Sequence, residues 1–113
     1  MTATDFRRLA LNLPETVEAS HMGHPDFRVG GKIFATLGYP GAEWAMVRLP
    51  PEEQAAFSGA RPKTFMPVKG AWGKAGATNV RLPGASRPAV RAALLAAWFA
   101  RAPKALARQF SDE

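Results

Sequence analysis

Two consecutive glycines, Gly30 and Gly31, stand between runs of β-forming residues, and this feature limits the possible folds more than any other. Phe27-Arg28-Val29 runs into the pair and Lys32-Ile33-Phe34-Ala35-Thr36-Leu37 runs out of it. A two-residue hairpin turn of the primed type needs positive φ at both central residues, which glycine adopts without steric cost. The pattern therefore predicts two antiparallel strands joined at 30–31.

The rest of the chain supplies partners for that hairpin. Residues 4–13 read as a helix, because Phe6, Leu9, Ala10 and Leu13 recur at helical spacing, and Thr2 with Asp5 makes a capping-box start. Pro14 ends it. Strands are predicted near 16–21, 26–29, 32–38 and 44–49, with Tyr39-Pro40-Gly41-Ala42 as the last turn of this meander. A short helix starts at Pro51, carries Glu52 and Glu53 in its first turn, and stops at Gly59. Two short strands, 65–68 and 78–82, flank a Gly-rich loop from Gly70 to Gly76. Ser86 caps a final helix with Val90, Ala93, Leu94, Ala97 and Trp98 on one stripe, and Pro103 breaks it. This succession predicts an α+β fold, an antiparallel sheet with helices packed on one face, in a single domain over residues 1–113.

Composition removes several chemistries. There is no cysteine, which excludes disulfides, thiolate zinc sites and thiol nucleophiles. Arg7 and Arg8 interrupt the N-terminal segment early, and the longest apolar run, 92–100, is too short to span a bilayer. A soluble cytoplasmic protein with no membrane partner is the expectation. The net charge of +6 is distributed unevenly: residues 54–111 contain ten Lys or Arg and no Asp or Glu. Cations without neighbouring carboxylates suit a polyanion such as nucleic acid. The chain is also rich in Ala, Gly, Pro and Arg, a bias that the base composition of the source genome could produce alone.

Candidate chemistry is sparse. His21, His24 and Asp26 are a possible ligand set, yet side chains three apart on an extended segment face opposite ways, so the two imidazoles converge only if Gly23 and Pro25 bend the chain sharply. A structural His24, hydrogen-bonded where the strand begins, fits better, and no metal or cofactor is expected. Ser20 beside His21 lacks an elbow motif, so no enzyme is expected. Gly30-Gly31-Lys32 fails as a phosphate loop because Asp26 and Ile33 occupy required Gly and Ser/Thr positions. Gly73-Lys74-Ala75-Gly76 matches the GxxG of KH domains, but a strand rather than a helix follows.

Alternation along the strands predicts an open sheet face. With Ile33, Ala35 and Leu37 inward, Lys32, Phe34 and Thr36 point outward; with Ala45, Val47 and Leu49 inward, Trp44, Met46 and Arg48 do. Arg28 and Arg81 join them, forming a platform of aromatics and cations of the kind single-stranded nucleic acids stack upon. A second subunit or the C-terminal segment could cover the same face. Trp72 reads first as a half-buried packing residue against the last helix, with a stacking or groove role as the alternative.

The block HPDFRVGGKIFATL, residues 24–37, then GAWGKAGATNVRL, residues 70–82, and the closing Ala/Leu/Trp helix with its APKALAR tail closely resemble the MmcQ/YjbR family over nearly the whole chain. The resemblance implies a frataxin-like, double-wing arrangement and a DNA-binding role. If the chain binds DNA, Arg28, Lys32, Arg48, Lys69, Lys74 and Arg81 are the cations expected nearest the phosphates, because they lie on the hairpin, the open sheet face and the Gly-rich loop, with Trp72 beside them and the 30–31 hairpin as a wing. Cations on the final helix are expected mostly to face solvent. The second functional class is a protein-interaction or small-ligand module using the aromatic face.

Overall fold

In the computed structural model, residues 1–111 are described. The hairpin forms as its glycines require, with φ of 58° at Gly30 and 79° at Gly31, joining β2 (His24–Val29) to β3 (Lys32–Leu37). A second turn of the same kind, at Met22 (φ 51°) and Gly23 (φ 79°), joins β1 (Val17–His21) to β2, so β2 begins two residues earlier than the alternation suggested. With β4 (Trp44–Arg48), β5 (Phe65–Pro67) and β6 (Ala77–Arg81) these strands make one antiparallel sheet in the order β1-β2-β3-β4-β6-β5. β6 enters between β4 and β5, pairing Arg48 with Ala77 on one side and Pro67 with Thr78 on the other.

The helices cover one face. In α1 (Ala3–Leu11) the capping box is complete: Asp5 N–H donates to Thr2 Oγ1 at 3.1 Å and Thr2 N–H to Asp5 Oδ2 at 3.0 Å. Phe6 and Ala10 of this helix are buried. α4 (Arg87–Arg101), capped by Ser86, buries Val90, Ala93, Leu94, Ala97 and Trp98, the whole predicted stripe. Burying about five such side chains is the main drive for docking the helix. Trp98 is fully enclosed, and its indole N–H donates to the Pro14 carbonyl at 3.0 Å, so no polar atom is stranded. α2 (Pro51–Ala60) seats Phe57 edge-on against Phe65. Pro103 ends α4, and a separate helix α5 (Lys104–Ser111) turns back so that Phe110 meets Trp98 and Phe99.

Two features depart from the sequence reading. The Gly-rich loop contains one helical turn, α3 (Ala71–Lys74). The sheet also carries a bulge: Phe27 pairs with Ala35 but Arg28 pairs with Ile33, which leaves Phe34 as the extra residue on β3. A one-residue shift reverses facing. Phe34 accordingly lies fully buried in the helix-side core, and Ile33, expected inward, takes the side of Arg28.

Candidate functional site

Antiparallel pairing brings the start of β3, the end of β4, the start of β6 and the end of β5 to one end of the sheet. That end collects Lys32 on the turn, Arg48, Lys74 three residues before β6, and Lys69 two residues after β5. Backbone bonds tie it together: Leu49 N–H donates to Gly76 O at 3.0 Å and Val68 N–H to Ala77 O at 3.0 Å. Two cations outside the expected set belong here as well: Arg101, on the final helix whose cations were expected mostly to face solvent, and Lys104 beyond Pro103. Arg101, at the end of α4, donates from Nε to the Ile33 carbonyl at 3.3 Å, an acceptor positioned by the bulge. Lys104 follows Pro103, whose ring lies against Gly30 so closely that a Cβ there would meet it at 2.8 Å. A cleft of about 530 Å³ opens between the turn and this elbow, lined by Lys32, Phe99, Arg101, Pro103 and Lys104 among others.

None of Lys32, Arg48, Lys69, Lys74, Arg101 and Lys104 forms an ion pair with a carboxylate among the described residues. Arg48 is partly buried, and its pKa is lowered, first by burial and then by the neighbouring positive charge of Arg101. A desolvated cation beside another cation is an arrangement that a bound anion relieves.

The remaining expected cations behave differently. Arg28 is bound to Asp26 through two parallel bonds, Nε to Oδ1 at 2.8 Å and Nη2 to Oδ2 at 3.0 Å. Asp26 is fully enclosed and also meets His21 Nδ1 at 2.8 Å. Its pKa is lowered, mainly by the Arg28 hydrogen bond against the opposing effect of burial. Arg28 answers with a raised pKa, chiefly through that same bond. Its charge is therefore already compensated. Arg81 lies at the far end of the sheet, 3.9 Å from Glu43 and over the Trp44 ring at 6.0 Å. The seven expected residues thus divide: Lys32, Arg48, Lys69, Trp72 and Lys74 share one end, where Arg28 also lies but is paired with Asp26, whereas Arg81 lies at the far end.

The aromatic platform does not form. Phe34 is in the core, Met46 is covered, and Trp44 is half-buried beneath Arg81. The expected packing of Trp72 against the last helix is also not what the fold adopts, since this side chain is 69% exposed. Its backbone is held by its neighbours: Gly73 is buried, and Gln54 Nε2 donates toward the Gly73 carbonyl at 2.9 Å.

The histidines correct another expectation. The sharp bend on which convergence depended is present at Met22-Gly23, and it places His21 directly opposite His24 across β1 and β2, on the same face. It is His21 that is hydrogen-bonded, to Asp26, while His24 lies edge-on to Tyr39. Among the described residues no three His, Asp or Glu side chains gather closely enough to hold a metal. Nor is any helix among them long and apolar enough to cross a membrane.

Comparison with known proteins agrees with this architecture. The family model YjbR matches residues 11–100. Deinococcus radiodurans protein DR2400, solved by crystallography and assigned the domain DUF419, superposes with a TM-score of 0.77 at 18% identity, covering 97% of this chain and 88% of that one. No curated protein matches the sequence.

Proposed function

This chain belongs to the YjbR family, and we propose that it is a non-enzymatic DNA-binding protein that holds the phosphate backbone against the cationic end of its sheet. The observation that carries this reading is the set of six cations, Lys32, Arg48, Lys69, Lys74, Arg101 and Lys104, gathered at one end without a carboxylate partner among the described residues. From β3 across β4 and β6 to β5 is three strand spacings, about 15 Å. Along the axis of a duplex that span takes in about four to five phosphates of one strand, at roughly 3.4 Å each. The 30–31 turn contributes Lys32 rather than a free wing, because Pro103 braces it. The alternative, a protein-interaction or ligand module on an aromatic sheet face, has less support because Phe34 and Met46 are not available there.

With about five phosphates contacted, affinity should fall by roughly two to three orders of magnitude between about 50 and 200 mM salt. Changing Lys32 and Arg48 together to Ala should flatten the log-log salt slope by up to about two contacts' worth. Titration of labelled DNA at several salt concentrations reads both quantities. Little binding at low salt, or a slope indifferent to the double substitution, would sink the proposal.

A further inference from the structure

We infer that the nucleic acid taken by this end of the sheet is single-stranded, with Trp72 stacking on an unpaired base. The inference rests on the nucleic-acid reading above and names the form of ligand. The chain's three tryptophans make the starting contrast. Trp98 is enclosed with its N–H bonded, and Trp44 is half-buried with a guanidinium over its ring. Trp72 lies largely in water, with no aromatic ring or cation against it among the described residues. An indole left in water forgoes the burial that usually retains tryptophan in a fold, and it offers a free π-face with little conformational freedom to lose.

The support beneath Trp72 is rigid. A Cβ on Gly73 would stand 1.6 Å from the Val68 carbonyl oxygen, so α3 is pressed against the strand end as closely as a backbone can approach. Gln54 Nε2 reaches three acceptors, the Gly73 and Ala77 carbonyls and Thr78 Oγ1, within 2.9 to 3.1 Å. α2, α3 and β6 are thereby tied at one point. Exposed Lys69 and Lys74 bracket the ring in sequence, three residues before it and two after. A cation track with an aromatic presented beside it is how proteins hold single strands without reading sequence.

Duplex DNA would not use this ring in the same way. Its bases present only their edges to the grooves, while their π-faces are occupied by the neighbouring pairs. Phosphate contacts from the six cations serve either form, so Trp72 is the residue that discriminates.

The test uses the full chain and labelled oligo-dT of about 15 nucleotides, alongside a dA·dT duplex of the same length, both at low salt. Trp72→Ala should weaken oligo-dT binding by about 5- to 150-fold and leave duplex binding unchanged, while Trp72→Phe retains most of the single-strand affinity. In the wild type, oligo-dT should protect tryptophan fluorescence from iodide, a protection absent from the Trp72→Ala protein. Equal loss on both DNAs, no loss on either, or unchanged iodide quenching would overturn the inference while leaving the DNA-binding reading intact if the Lys32/Arg48 double substitution still lowers affinity. No binding of the wild type to either DNA would overturn both.

Discussion

Arg28 and Arg48 stand on the same face of the sheet, with only β3 between their strands, yet they are in opposite electrostatic states. Arg28 is locked to an enclosed Asp26 that also meets His21, so the β1–β2 hairpin carries its charge internally. Arg48 is partly desolvated, has no carboxylate partner among the described residues, and feels a second cation in Arg101. In the first region charge serves the fold. In the second the fold holds charge available for something else. A count of cations along the chain therefore overstates the surface open to a polyanion and misplaces part of it.

The largest effect should come from breaking the compensated side. Asp26→Asn leaves Arg28 facing a neutral amide, and urea unfolding at neutral pH should show a loss of about 2–4 kcal/mol, less than for a wholly buried pair because Arg28 is partly exposed. Because the folded pKa of Asp26 is lowered, its stabilisation is present above the unfolded value, about 3.9, and disappears as pH falls through the lowered folded value. The substituted protein should lose that part of the acid-range decline. If stability barely changes, the hairpin does not depend on its internal charge and the contrast fails.

A middle-sized effect should follow from Gly73→Ala. The added methyl collides with backbone rather than with a movable side chain, so α3 must shift, at a cost of about 1–3 kcal/mol by thermal or urea unfolding. A substitution tolerated without loss would mean that the cationic end is held more loosely than its close packing indicates.

The smallest stability effect should be at Arg48. Arg48→Gln removes a partly buried charge that repels Arg101, and unfolding free energy should change by no more than about 0.5 kcal/mol in either direction. The same substitution should remove about one contact from the salt slope of DNA binding. Arg28→Gln should do the reverse, lowering stability and leaving the slope unaltered. Similar behaviour of the two arginines would erase the distinction between the regions.

Elements were legible where the signal is local. Gly30-Gly31, the Thr2/Asp5 and Ser86 caps, and the five-residue stripe of α4 all appear as read, because turn dihedrals, capping bonds and helical periodicity depend on residues a few positions apart. Errors began where one residue of register mattered. The bulge at Phe34 exchanged the sides of Ile33 and Phe34 while leaving Ala35, Thr36 and Leu37 facing as read, and no residue between 32 and 37 marks it. The Met22-Gly23 turn was missed because a non-glycine residue occupies one of its positive-φ positions. Arg101 and Lys104 were overlooked for another reason: they reach the site only because α4 breaks at Pro103 and the elbow packs against Gly30, a contact across more than seventy residues.

By itself the sequence determined the main elements and their order, apart from the α3 turn, the helix faces that would be buried, and an excess of positive charge in the second half, since all of these follow from local geometry and composition. Tertiary structure alone decided which cations are free. A carboxylate neutralises a guanidinium only within a few ångströms, and Asp26 beside Arg28, Glu43 toward Arg81, and the absence of any such partner at Arg48 among the described residues are set by strand register and helix docking. It also decided that Trp72 stands in water, next to a Gly73 seated tightly on Val68.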